Sequence, residues 1–312
     1  MYCTIEGIIY TSEKLSDRIE NIEKHYIHKE TGELLYKAKL KNIELYESTR
    51  GIKFSGSLAK YYFSNNLETL TIKQTKESLE MLSEETQLDF NNASITRVDI
   101  ATNFIMNEPI LNYYDCLGSA SRLDRNIKYS SLYYTNNSRS LVFYDKYKEA
   151  NYRGTLIPNE YKNSYLLRYE YRHKKFYKYH LTGKDLYETD TFNWLVDTWQ
   201  EAYNSIQKIQ TLTFTKRGKE MINLKTLKLD CMRYYVEEKL GGVENFYKML
   251  DSEQRKGAIE KQNKYYLKKK IEKAFQLPEL IEANNLISEL DNKVKEAVNK
   301  YSCKQINYSE YK

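Results

Sequence analysis

Hydrophobic and polar positions alternate in short runs through the first two thirds of the chain. Segments such as GIIYTSEKL, GELLYKAKL, GIKFSGSLAKYYF, SITRVDIATNF, KYSSLYYTNNSRSLVFYDK and SYLLRYEYRHKKFYKY are rich in Val, Ile, Thr, Phe and Tyr, the composition of strands. Between them, LTIKQTKESLEMLSEE places Leu79 and Leu82 at helical spacing, and Thr71 and Gln74 have the spacing of a capping box. A second helix is predicted over Pro109 to Leu117, after which the polar stretch GSASRLDRN leads back to strand. This mixture predicts an α+β domain over residues 1–190, with a largely antiparallel sheet and flanking helices.

After about residue 190 the period changes to that of helices, in TFNWLVDTWQEAYNSI, LDCMRYYVEEKL, VENFYKMLDSEQRKGAIEKQNKYYLKKKIEKAF and PELIEANNLISELDNKVKEAVNKY. Residues 191–312 are therefore expected to form a helical C-terminal region. In the last helix, predicted to begin near Pro278, positions Leu280, Ala283, Ile287, Leu290, Val294, Ala297 and Tyr301 follow heptad spacing. Three heptads are short for a coiled coil, which favours a helix packed on its own protein. Two segments, KFSGSLAKYYFSNN and KYSSLYYTNN, share Ser and Leu before a Tyr/Phe run that ends at paired asparagines. Asn tolerates the positive φ of tight turns, so both read as strands entering hairpin turns and raise the expectation of an internally duplicated half.

Composition narrows the class. The 312 residues are 41% hydrophobic and 29% charged, a balance that folds. No apolar run approaches the ~18 residues of a membrane span, and MYCTIEGIIYTSEKLS lacks the basic start and long apolar core of a signal peptide, so a cytoplasmic location with no membrane partner is expected. Cys3, Cys116, Cys231 and Cys303 are scattered without a CxxC pair and read as buried free thiols. Lys plus Arg exceed Asp plus Glu by 49 to 43, a net +6 compatible with a polyanionic partner.

The candidate chemistry lies in three strands, SITRVDIATNF, SLVFYDKYKEA and YLLRYEYRHKK. Residues two apart on a strand share a face, which pairs Arg97 with Asp99, Tyr144 with Lys146, and Arg168 with Glu170, with Glu149 just past the end of its strand. On a regular strand Tyr147 would project away from Tyr144. If the three strands are neighbours, one face gathers Asp99, Glu149 and Glu170. Clustered carboxylates repel unless a cation neutralises them, and all-oxygen ligation selects a hard ion, Mg²⁺ or Mn²⁺. A tyrosine nucleophile needs a nearby cation to favour its phenolate, here that metal or Lys146. The set suits phosphoryl transfer to tyrosine.

The ordered set TRVDIATNF, SLVFYDKYKEA and LLRYEYRHK resembles the motifs of the replication initiators of filamentous phages and rolling-circle plasmids, the gene II/X family of replication proteins, over roughly residues 50 to 190. The resemblance implies a site-specific nickase whose catalytic tyrosine matches Tyr144, with Lys146, Glu149, Asp99, Arg168 and Glu170 in the matching motif positions. It implies attack of Tyr144 on one strand of origin DNA, a 5′-phosphotyrosyl link, and a 3′-OH that primes synthesis. Double-stranded and single-stranded origin DNA are then the partners. With no GxxxxGK[ST] loop in the chain, a host helicase would work beside the host polymerase.

His25, His28, His173 and His180 form no His-hydrophobe-His metal pair, so carboxylates are left to hold the metal, and His173 is expected on phosphate together with Arg97 and Arg172. Lys261, Lys264 and Lys268 share a helix face suited to duplex phosphates, which gives residues 191–312 an expected DNA-binding or packing role, while Tyr265 and Tyr266 read as core. Two alternatives compete: a replication protein that binds DNA without catalysis, and a tyrosine recombinase, which requires an HxxR motif that the chain lacks.

Overall fold

The computed structural model describes residues 1–18, 22–27, 32, 34–155, 157–214, 223–277 and 281–302. The strands run in chain order as β1 (Tyr2–Ile9), β2 (Ile22–Ile27), β3 (Leu34–Leu40), β4 (Ile43–Ser48), β5 (Gly51–Ser57), β6 (Ser94–Met106), β7 (Leu117–Ala120), β8 (Asp124–Lys128), β9 (Ser131–Thr135), β10 (Arg139–Asp145), β11 (Tyr165–His173), β12 (Ile206–Lys208), β13 (Leu212–Phe214) and β14 (Ile281–Ala283). Ten of them form one sheet, ordered β2-β3-β4-β5-β1-β6-β11-β10-β9-β8, in which every neighbouring pair is antiparallel. This is the expected α+β class with a largely antiparallel sheet.

The helices are α1 (Leu58–Phe63), α2 (Ile72–Thr86), α3 (Ile110–Asp115), α4 (Lys146–Tyr152), α5 (Thr189–Asn204), α6 (Leu224–Leu240), α7 (Val243–Arg255), α8 (Lys261–Gln276) and α9 (Leu286–Tyr301). At the start of α2 the predicted capping box is formed, Thr71 Oγ1 accepting from the Gln74 N–H and Gln74 Oε1 from the Thr71 N–H. None of the described helices is long and apolar enough to cross a membrane.

Period-two alternation decides which face of the central strands is core. Leu167, Tyr169 and Tyr171 of β11 lie across the ladders from Phe104, Thr102 and Ile100 of β6 and from Asp145, Phe143 and Leu141 of β10. Tyr169 stacks on Phe143 at 4.6 Å, lies 4.8 Å from Trp199 of α5, and donates its hydroxyl to the Trp199 carbonyl at 3.1 Å. Trp199 is fully buried, and truncating such a residue to Ala costs about 3–5 kcal/mol. Helix α9 packs on α5, where Tyr203 donates to Asp291 at 2.6 Å, so the last helix does pack on its own protein. The opposite face of β11 carries Leu166, Arg168, Glu170 and Arg172.

By its contacts the chain forms two units, one up to Ile209 and again from Leu286 onward, the other Gln210–Asn285. The helical residues after 190 are thus shared between units, because α5 and α9 complete the sheet domain's core. The second unit packs α6, α7 and α8 around Val236, Phe246, Leu250, Ile271 and Ala274, and pairs β13 with β14.

Several local expectations are corrected. Leu58–Phe63 is a helix, with Ser57 Oγ accepting from the Lys60 N–H at 3.2 Å as its N-cap. KYSSLYYTNN instead runs from β8 into β9, so the two look-alike segments fold differently and do not mark a structural duplication. The stretch after Cys116 is β7 and β8 rather than a polar connector. The last helix begins at Leu286; Ala283 lies in β14, and Leu280 lies outside the described residues. Cys3 and Cys116 are buried but Cys231 is exposed, and Cys303 lies outside the described residues.

Candidate functional site

The three motif strands are adjacent, β6 beside β11 beside β10. Directly opposed residues share a face, so the register places Asn103, Arg168 and Tyr144 in one row, Ala101, Glu170 and Val142 in the next, and Asp99, Arg172 and Ser140 in a third. Glu6 of β1 continues the face beyond Arg97. The Leu166 end of this face is closed by Leu67 and by Ala150 of α4, in a small apolar cluster that also receives Tyr147, Ile157 and Tyr161. Towards the Arg172 end the face opens, with Tyr144, Arg172, Arg97 and Glu6 half-buried.

Tyr144 donates its phenolic proton to Glu170 Oε2 at 3.3 Å. Burial raises the phenol well above its usual pKa, Glu170 adds to this, and the Arg168 guanidinium works against it. Burial also works to raise the Glu170 carboxyl, but Arg172 and Arg168 outweigh it and hold Glu170 below the usual carboxylate range. Arg172 Nε donates to Glu170 Oε1 at 2.9 Å, and Arg168 Nε lies 3.7 Å from Glu170 Oε2. Arg168 is anchored from its other side, Nη1 donating to the Asn66 carbonyl and to Asn103 Oδ1, each at 3.1 Å. Its Nε–H is buried and makes no hydrogen bond. The guanidinium thus lies inside the face, and its charge acts on Glu170 and Tyr144 from beneath.

Asp99 is held bidentately by Arg97, at 2.8 and 2.7 Å, and Arg97 also reaches Glu6 at 2.7 Å. Burial, with Glu170 adding to it, pushes the Asp99 carboxyl up to about 7 in spite of Arg97.

The strand predicted to carry Lys146 ends one residue earlier. Asp145 caps α4 by accepting from the Lys148 N–H at 3.0 Å, and Lys146 is the first helical residue, fully buried. Its Nζ donates to Asn66 Oδ1 at 2.7 Å and to Glu149 at 2.5 Å. Burial, then Arg168, lowers the Lys146 pKa, with Glu149 opposing. The cation directly across from Tyr144 is therefore Arg168, and Lys146 acts one step removed through Asn66. Tyr147 likewise lies on α4, so its strand-based placement opposite Tyr144 does not hold.

The three carboxylates do not fit a Mg²⁺ or Mn²⁺ site as they stand. Asp99 is saturated by Arg97, Glu170 by Arg172 and Tyr144, and Glu149 by Lys146 and Arg153 at 2.5 Å each. Among the described residues no group of three or more His, Cys, Asp or Glu side chains is arranged to hold a metal ion. The positive charge on this face comes from arginines.

The remaining candidates divide. His173 points away from Arg172, buried against Tyr171, Phe176, Tyr179 and Trp194, a position that rules out an open phosphate contact on the Tyr144 face. Lys264 and Lys268 of α8 turn to Asp251 of α7, at 2.6 and 3.6 Å, and Lys268 covers the Tyr247 ring; Lys261 stays exposed. Tyr265 and Tyr266 are exposed rather than core. Sequence reasoning missed Asn66, Asn103 and Glu6. Asn103 was accessible, since extending the period of two from Asp99 through Ala101 reaches it within TRVDIATNF, whereas Asn66 and Glu6 carry no such signal.

A family model that describes the N-terminal part of a phage replication-associated protein matches residues 13–187, more than half of the chain and all of β6, β10 and β11. No curated protein is found to match the chain.

Proposed function

The chain belongs to the family of phage replication-associated proteins whose N-terminal part that model describes, and from that premise we propose that it initiates rolling-circle replication by nicking one strand of its origin, with Tyr144 as nucleophile. The observation that carries this reading is the Tyr144 hydroxyl aimed at an ionised, arginine-held Glu170 beside the buried Arg168 guanidinium.

In the proposed step Tyr144 Oη attacks phosphorus as its proton passes to Glu170, and the bond from phosphorus to the 3′ oxygen breaks. Arg172, half-buried at the open end of the face, stabilises the charge that develops on the phosphoryl oxygens, and the buried Arg168 adds its positive charge from beneath. The departing oxygen takes a proton from water to become the 3′-OH. The products are a 5′-phosphotyrosyl link, which conserves the bond for later transfer to a 3′-OH, and a primer end. Lys146, Asn66 and Asn103 position Arg168 rather than touch DNA.

In the Gln210–Asn285 unit, the exposed Lys261, Lys269, Lys270, Tyr265 and Tyr266 of α8 supply a basic and aromatic face for origin DNA.

The test is to incubate the protein with a single-stranded origin oligonucleotide, trap the covalent adduct, and map the modified peptide. An adduct on Tyr144 that Tyr144→Phe abolishes is expected. An adduct on another tyrosine, or nicking by Tyr144→Phe equal to the parent, overturns the assignment.

A further inference from the structure

A polar cavity of about 420 Å³ opens at the end of β10 and β11 remote from Tyr144. Arg139 begins β10 directly across the ladder from His173, and both project from the face opposite Tyr144 and Arg168. Arg122, Lys175 and Lys178 join Arg139 in the wall, and no carboxylate lines it. Among the described residues none of these four cations has a carboxylate within salt-bridge distance, unlike the three arginines beside Tyr144. Four like charges around one cavity repel one another, and an anion between them relieves that repulsion.

Two further features point to the kind of anion. His173 is 8% exposed, and its buried Nδ1 has no hydrogen-bond partner. Tyr179, 46% exposed, stands against it with ring centroids 5.1 Å apart, offering a base a ring to lie on. The turn beneath is fixed, Asn136 Oδ1 accepting from the Ser138 and Arg139 N–H groups at 2.8 and 2.9 Å. The volume falls within the range of small-molecule sites and is too small for a duplex.

We propose that this cavity binds one nucleotide of a DNA single strand, its phosphate against Arg122, Arg139, Lys175 and Lys178 and its base against Tyr179 and His173. It would hold the strand on the far face of the sheet from the nicking residues. The inference rests on the reading that this protein handles single-stranded DNA.

The experiment uses the full chain carrying Tyr144→Phe, so that covalent chemistry plays no part, and a fluorescein-labelled twelve-residue oligothymidylate read by anisotropy over a salt series. Arg122→Ser with Lys178→Ser changes two exposed side chains. It should weaken binding at least tenfold and make the slope of log affinity against log salt shallower by roughly 1.4, the value for two lost phosphate contacts on a single strand. Arg139→Gln should do the same in smaller measure. Thymidine 5′-monophosphate should compete far better than inorganic phosphate. Unchanged affinity and slope in both variants overturns the site, and equal competition by inorganic phosphate reduces it to an anion hole and overturns the nucleotide assignment. Because nicking is measured separately on the Tyr144 protein, loss of the nicking assignment would leave these outcomes readable.

Discussion

Across the ladder that joins β10 to β11, Tyr144 stands directly opposite Arg168. The pairing is set by backbone hydrogen bonds, so the phenol and the guanidinium meet without either side chain searching for the other. Arg168 is then locked by Asn66 and Asn103, with its Nε turned to Glu170 at 3.7 Å. Arg168→Lys retains the charge but loses the planar fork. Nicking should fall about 100-fold, the order expected for weakening the preorganised electrostatics around a developing anion. Anisotropy with the same oligonucleotide should change less than about threefold. Nicking within threefold of the parent would show that Arg168 is not at the reaction.

Glu170→Gln keeps the shape and removes the proton acceptor. Adduct formation should drop by about 10²–10⁴, the usual contribution of a positioned base. Glu170 is held below the usual carboxylate range, so the parent is fully ionised there from pH 6 to 9 and its rate should show no rising limb from this group. The variant must rely on hydroxide or on prior loss of the phenolic proton, and its rate should climb with pH across the same window. A flat pH profile in the variant would remove Glu170 from proton transfer.

His173 has an ordinary pKa of 6.5 that burial, with Arg139 adding, lowers to about 4. A histidine depressed in the fold contributes stability that is complete above pH 6.5 and is lost as the pH falls towards 4. Urea denaturation should show the parent losing about 2–3 kcal/mol between pH 7 and pH 4 through this group. His173→Phe, which suits the surrounding rings, should flatten that decline. An equally steep decline in the variant would place the acid sensitivity elsewhere.

The arginine-saturated acids make a prediction about metal. Without DNA, Mn²⁺ titrated into the protein and followed by electron paramagnetic resonance should reveal no ordered site tighter than about millimolar, since each carboxylate would have to give up an ion pair. Arg97→Gln releases Asp99 and Glu6 from their shared partner and should tighten Mn²⁺ binding measurably. Tight binding to the parent, unaffected by Arg97→Gln, would mean that the ion is held by other groups.

The chemistry of the central face was legible because it depends on parity. Arg97 with Asp99 and Arg168 with Glu170 share faces wherever they sit in a strand, and three such strands found one another in the sheet. Lys146 was misplaced because the alternation of LVFYDKYK resembles a strand, although Asp145 followed by Glu149 in the first turn is also a helix start. Helix α1 was misread for the same reason: LAKYYF looks like a strand, and its fate depends on the Ser57 cap and on burial of Leu58, Ala59 and Tyr61. Asn66 could not be found at all. It contacts Arg168 across 102 positions of sequence, and nothing local in paired asparagines distinguishes a ligand of arginine from a turn. Nor could the pairing of acids with arginines be chosen over metal ligation, since both draw on the same residues.

In β10 and β11 the polar row and the aromatic row are one residue out of phase. A single-residue deletion ahead of Arg168 would therefore not slide the centre along the strand. It would invert it, sending Arg168 and Glu170 under Trp199 and turning Tyr169 and Tyr171 to the face that carries Tyr144. Point changes can tune this protein in small steps, but frame-like shifts inside these strands are all or nothing. Changes of length are confined to the turns, such as the one at Asn136 or residues 157–164 ahead of β11, where no phase has to be kept.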